Sequence, residues 1–383
     1  MSERLPTLLT PGTFGENVYN TIFGNVYNAR RGAMARVTIT QVAARAGVSI
    51  ASASRALNGQ IASAETVTKV RQAASELGYV ADATAQSLKR GRTFQLAYAV
   101  ADIGNPVYVE MMTAVQQVVA ASGYRLILSS TGDASSAVDI VRDLSRGYVD
   151  GLIISPLRVT DELLAALEVA PLPVVVLGRV PDDAGLDTVR ADSLTAMRQV
   201  VDHLADCSHR RIAFINGPVD TTPGMFRRDG FAAALAAHPE IDSLSAAADD
   251  FTIAAGYEAA RTLLEDGDRP QAIIAANDLI GVGVLRAAED LGLSVPHDLA
   301  VTGIDNTELA GVIRPGLTSV DMGAAERGRV AAELLLARID DPDRPSRTVA
   351  IAPRLVVRDS TRSAQERRGI VRAAPADDER AAG

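Results

Sequence analysis

From Phe94 onward, short apolar runs alternate with amphipathic stretches, and the series occurs twice. "FQLAYAV", "YRLILSS", "DGLIIS" and "PVVVLG" read as buried strands, with helical stretches near Val107 to Ser122, Ala134 to Arg146 and Asp161 to Glu168. A second series begins near residue 192 with "RIAFING", "AIIAAND" and "LAVTGID". Strand and helix in alternation require parallel sheets with right-handed crossovers, and two such series predict two doubly wound α/β lobes. Ligands of such sheets bind at the carboxyl ends of the strands, so two facing lobes enclose a cleft.

Composition removes several function classes. The 383 residues are 47% hydrophobic, enough for two or three domains with a sizeable core. Cys207 is the single cysteine, so no internal disulfide framework exists, and four scattered histidines lack metal-ligand spacing. No run approaches the roughly 18 apolar residues of a membrane span, and a cytoplasmic protein without membrane attachment is expected. Neither a G-x-S-x-G elbow nor a Walker lysine is present, and the glycines of "GVGVLRAAEDLG" sit within a helical pattern rather than after a strand. No catalytic residue, metal or cofactor is therefore expected. His209, just before a strand, reads as a structural histidine.

Charge is uneven along the chain. The formal net charge is -9, yet no Asp or Glu occurs between Glu16 and Glu65, where Arg30, Arg31, Arg36, Arg45 and Arg55 lie. Such a segment suits a polyanion, although a solvated basic face would look the same. Helical periodicity adds to it. Ile39, Val42, Ala43 and Ala46 form one apolar stripe, with a Thr38-x-x-Gln41 capping box at its start and Gly47 at its end. Ser49 caps a second helix with Ala53, Ala56 and Leu57 inward and Ile50, Ala51, Ser54, Arg55 and Asn58 outward. Ser63 begins a third, with Val67, Val70, Ala74 and Leu77 inward and Gly78 as its stop. Alanines at 43, 44, 46, 53 and 56 are predicted to let the first two helices cross closely. This is the pattern of a helix-turn-helix, which another helical bundle could also contain.

"VTITQVAARAGVSIASASRALNG", "ETVTKVRQAASELGYV" and "AQSLKRGRT" resemble the DNA-binding head of the lac and galactose repressor family of bacterial transcription regulators. The likeness continues through "VDGLIISP", "HRRIAFING", "RRDGF", "AIIAANDLIGVGVLRAAEDLGL", "VTGIDN", "RPGLTSVD" and "LVVRDST", covering about Arg36 to Arg362. It implies a three-helix head over 36–80 and a hinge helix and linker over 81–92. A two-lobed periplasmic-binding-protein-like domain follows over 93–362, its N-lobe about 93–191 plus 322–345 and its C-lobe about 192–321 plus 346–362. It further implies that Ile50, Ala51 and Arg55 meet base edges in the major groove, while Thr38, Ser49, Ser52, Ser54, Asn58, Thr66 and Tyr79 position the phosphate backbone. Leu88 would wedge into the minor groove, unless residues 81–89 are a plain linker whose leucine caps the core. Ala81 and Asp82 depart from the Pro-Asn that the family commonly carries there.

The resemblance places Arg227, Asn277 and Asp305 in an effector pocket, with Phe251 as a stacking platform and Tyr108 nearby. Asp102, Asn277, Asp278, Asp305 and Asn306 also stand where strands end, and such carboxylates and amides suit the vicinal hydroxyls of a sugar or nucleoside. Alternatives stand beside these: Asp278 as a cap for the helix starting at Leu279, Arg227 paired with an acid across the lobes, Phe251 as plain core. The implied protein is a homodimeric repressor on near-palindromic double-stranded operator DNA, regulated by a small molecule of sugar type. A sugar-binding transport protein would share the two-lobed half but not the head. Residues 1–35 are expected to be a disordered leader or to precede a translation start at Met34, and 363–383 a disordered tail without a leucine heptad.

Overall fold

The computed structural model describes residues 37–59, 61–80, 91–132, 134–265 and 268–361. The leader, the segment 81–90 that holds Leu88, and the tail lie outside the described residues. The chain divides into two units, one ending at Arg90 and one starting at Gly91.

The first unit holds α1 (Ile39–Ala46), α2 (Ile50–Leu57) and α3 (Ala64–Leu77). The Thr38 side chain accepts from the Gln41 N–H, while Gln41 Oε1 accepts from the Thr38 N–H at 2.8 Å, closing the capping box. Gly47 ends α1 at φ 68°, a left-handed conformation that glycine adopts without strain. The core is Val42, Ala43, Ala53, Ala56, Val70, Ala73 and Ala74. Small side chains at the crossings let three short helices share so thin a core. Ala44 does not take part: it is exposed, because α1 turns only one narrow stripe inward.

The second unit runs β1 (Gln95–Val100), α4 (Pro106–Ala121), β2 (Arg125–Ser130), α5 (Ala134–Leu144), β3 (Gly151–Ser155), α6 (Asp161–Glu168), β4 (Val174–Leu177) and β5 (Asp187–Ala191). It continues through α7 (Ser193–Asp206), β6 (Arg211–Asn216), α8 (Thr222–Leu235), β7 (Asp242–Ala247), α9 (Ile253–Glu265), β8 (Ala272–Ala275), α10 (Asp278–Asp290), β9 (Ala300–Ile304) and α11 (Glu308–Val312). β10 (Thr318–Asp321), α12 (Ala324–Asp340), β11 (Thr348–Ile351) and β12 (Arg354–Val356) complete it. Two six-stranded sheets result, ordered β11-β5-β4-β3-β1-β2 and β12-β10-β9-β8-β6-β7. Every described pairing is parallel except β10 with β12. Central strands such as β3, β4, β8 and β9 are buried along their whole length, which is why they read as unbroken apolar runs.

The chain changes lobes three times. The first two changes fall near residues 192 and 322. The third falls at 352–353 and not near 345, since β11 pairs with β5 in the N-lobe sheet and only β12 joins the other. Asp187 fixes this edge: its buried carboxylate accepts from Arg338 Nε at 3.0 Å and from the Arg347 N–H at 2.8 Å, bringing α12 and the start of β11 beside β5.

Candidate nucleic-acid interface and effector site

In the head, α2 turns Ile50, Ala51 and Arg55 outward; Ile50 is 51% exposed, unusual for a large aliphatic side chain. No acidic residue lies on α1 or α2, but Arg45 pairs at 2.5 Å with Glu76 of α3, so its charge is partly neutralised. Arg55 makes a 3.3 Å contact with Ser52 Oγ and no ion pair among the described residues. Several residues placed at the backbone also close the helix ends. Ser49 accepts from the Ser52 N–H at 3.1 Å, Thr66 bonds Ser63 at 2.8 Å, and Asn58 donates to the Ser54 carbonyl at 2.7 Å. Tyr79 packs on the head's core. Ile50, Ala51 and Arg55 thus share one exposed face, ringed by Ser and Asn groups at helix ends.

In the second unit a cavity of about 110 Å³ lies between the lobes at the carboxyl ends of both sheets. The N-lobe supplies Tyr108, Ser155 and Arg179; the C-lobe supplies Phe226, Arg227, Phe251, Asn277 and Asp305; Arg327 enters from the second change of lobes. The rim is closed by two links across the lobes, the Thr222 N–H to the Leu157 carbonyl at 2.8 Å and Arg158 to Asp220 at 2.7 and 3.1 Å.

Five of the six expected effector residues meet here, each held by its own local structure. Arg227, on the second turn of α8, donates to the Ala276 carbonyl at 2.7 Å and to Asp305 Oδ1 at 3.1 Å. The acid it pairs with is therefore in its own lobe and not across the cleft. Asp305 closes β9 at φ 103°, a strained backbone for a residue with a side chain. Burial pushes its carboxyl pKa up, while the nearby Arg227 and Arg327 charges oppose that rise. Asn277 caps α10 by accepting from the Ile280 N–H at 2.8 Å and donates to the Phe251 carbonyl at 3.2 Å. Phe251 is buried, and its ring lies where a side chain on Gly217 would stand. Tyr108 faces the cavity, its phenol pushed up to about 12 by burial and by the Asp305 charge.

Asp102 is not among the lining residues: it is exposed and accepts from the Gly104 N–H at 2.7 Å, shaping the loop after β1. Asp278 neither caps α10 nor lines the cavity. Its oxygens accept from the Thr307 N–H (2.6 Å), the Thr307 hydroxyl (2.9 Å) and the Ser319 hydroxyl (2.5 Å), and burial with the Asp305 charge pushes its pKa up to about 7. Asn306 turns to Arg358, accepting at 2.6 Å. Sequence reasoning missed Arg179, Phe226 and Arg327. Arg179 stands just past the end of β4, the position the strand-end rule searches, and its guanidinium lies 4.4 Å from the centre of the Phe226 ring. Arg327 sits three residues after Ala324 and one before Gly328 on α12, beside the buried small-residue stripe, and that was its signal.

A three-helix head whose α1 and α2 carry no acidic residue, on the same chain as a two-lobed cleft, defines a DNA-binding regulator of the ligand-responsive class. Residues 38–82 match the family described as bacterial regulatory proteins, lacI family, and residues 201–361 match the periplasmic binding protein-like domain. The ribose operon repressor of Escherichia coli K12 is 33% identical over 327 residues, covering 84% of this chain and 99% of that protein. The HTH-type transcriptional regulator CelR of Thermobifida fusca is 33% identical over 336 residues, covering 85% and 98%. The crystal structure of the lac repressor dimer bound to operator and an anti-inducer aligns with a TM-score of 0.78 at 26% identity, over 86% of this chain and all of that one. The chain belongs to the lacI family of bacterial regulatory proteins. It is a transcriptional regulator and not an enzyme, and among the described residues no helix is long and apolar enough to cross a membrane.

Proposed function

We propose that this regulator is a cytoplasmic dimeric repressor whose two heads grip a near-palindromic operator, and whose grip changes when a polyol of sugar type fills the cleft. A relative named as a ribose operon repressor, a structure of the CelR regulator in complex with cellobiose and a structure of a LacI family regulator with bound ribose support a sugar-type ligand. The operator-bound lac repressor dimer supports paired heads on DNA.

The observation that carries the reading is the composition of the cleft: residues of both lobes line one cavity, so a ligand bridging them stabilises one lobe arrangement over another. Arg55 reads a guanine edge, Ile50 and Ala51 contact a thymine methyl, and Thr38, Ser49, Ser52, Ser54, Asn58, Thr66 and Tyr79 hold phosphates. Leu88 wedges into the central minor-groove step. In the cleft, Arg227, Asn277 and Asp305 bind hydroxyls, with Tyr108 and Phe251 against the ring; Asp102 orders the loop at the rim. Coupling of this kind is worth about 1 to 3 kcal/mol. Titration of a duplex enriched from a random library, with and without candidate sugars at fixed salt, tests it. Unchanged affinity with a ligand proven to occupy the cleft would refute the coupling.

A further inference from the structure

We propose that the natural ligand of the cleft is anionic, carrying a carboxylate or phosphate that docks on Arg327. The proposal rests on the cleft being the effector site, and it narrows the effector from a polyol to an acidic one.

Charge in the cavity is opposite to that of the protein. In a chain of net charge -9, the charged lining residues are Arg179, Arg227, Arg327 and Asp305: three guanidinium groups and one carboxylate. That carboxylate is already engaged by Arg227 at 3.1 Å, and Arg179 is stacked on Phe226. Arg327 is left over. Among the described residues its guanidinium has no ion pair, and its buried Nε has no hydrogen-bond partner. Burial lowers its pKa, and the neighbouring Arg227 charge lowers it further, while Asp305 and Tyr98 oppose the shift. Glu110 feels the same field from α4, but it is exposed and outside the lining.

A half-buried cation without an ion pair gains when a ligand supplies a counter-charge and takes it further from water. A neutral sugar can accept hydrogen bonds from Arg327 but adds no counter-charge to that of Asp305, which Arg227 already shares. A carboxylate or phosphate oxygen pair matches the planar guanidinium fork and compensates it. The polyol part of such a ligand would still lie against Asp305 and Asn277.

The test is calorimetric titration of the full chain with matched sets: glucose, glucuronate and glucose 6-phosphate; ribose and ribose 5-phosphate; and inorganic phosphate alone. The expected result is a charged member binding about 10- to 100-fold more tightly than its neutral counterpart. The carboxylate and phosphate arms tell the two sources apart. Arg327→Gln should remove most of that margin, the charged member losing more affinity than its neutral counterpart, and Arg327→Lys should keep part of it, with melting curves showing that both variants fold. A neutral sugar binding as tightly as its charged counterpart, or a margin unchanged in Arg327→Gln, overturns the proposal and leaves the cleft as the effector site. Silence of every member, neutral and charged, overturns both.

Discussion

The buried pair of Arg227 and Asp305 gives a sharp test of how the site is held. Arg227→Leu removes the partner of a carboxylate that is 7% exposed at the side chain, and it also removes the donor to the Ala276 carbonyl. Breaking a buried ion pair from one side destabilises by about 3–5 kcal/mol, and for a domain of this size each kcal/mol moves the midpoint by about 2 °C, so Tm should fall by about 6–10 °C. Arg227→Leu combined with Asp305→Leu removes both charges, and most of that loss should return. Acid should help the single variant as well. With Arg227 gone, the Asp305 carboxyl, already raised by burial, rises further above its unfolded value of about 3.9. A raised folded pKa gives stability that is fully present below the unfolded pKa and lost as pH rises through the folded one, so the deficit should shrink on acidification. Scanning calorimetry of the three variants between pH 5 and 8 reads all of this. A single variant within about 1 kcal/mol of the parent, or a double variant no more stable than the single, would refute the reasoning.

Four further outcomes follow from the same geometry. Arg55→Ala should weaken binding to an enriched duplex by about 1–3 kcal/mol and to random duplex by less; equal losses at one salt concentration would make Arg55 a phosphate contact. Asp278, pushed up to about 7, should make stability fall as pH rises from its unfolded value of about 3.9, with a slope of up to about 1.4 kcal/mol per pH unit, and Asp278→Asn should flatten that slope in denaturant titrations; an unaltered slope would contradict the assignment. Gly217→Ala places a methyl in the Phe251 ring, which should cost about 1–3 kcal/mol and disturb cleft binding, whereas a parent-like Tm and affinity would mean the ring yields freely. Thr38→Ala opens the capping box and should destabilise the head by about 1 kcal/mol in its own unfolding transition, a loss that Thr38→Ser should largely avoid.

Sequence and structure agree where one physical signal dominates. Central strands are legible because burial on both faces leaves nothing but apolar residues, and the head is legible because its caps are side-chain chemistry written at fixed spacing. β7 (DSLSAA) and β11 (TVAI) carry no such mark, since they lie at sheet edges with half or more of their residues exposed, and β11 therefore gives no sequence sign of where the third change of lobes falls. In the cleft, the strand-end rule finds Asn277 and Asp305 but also selects Asp102, whose carboxylate serves the Gly104 N–H. Which strand-end polar groups are consumed by their own loops depends on backbone geometry. Arg327 escapes the rule altogether, because it comes from a helix that reaches the cavity only after the chain changes lobes.

The most direct measurement is fluorescence anisotropy of the full chain on a duplex enriched by selection, at one fixed ionic strength, with the cleft empty and then saturated. The account predicts binding at least about a thousandfold tighter than to random duplex, and a change of about 5- to 150-fold on saturation that is lost when the cleft is disabled. A folded, full-length protein that binds no duplex at low salt, or binds one with an affinity indifferent to cleft occupancy, would contradict it.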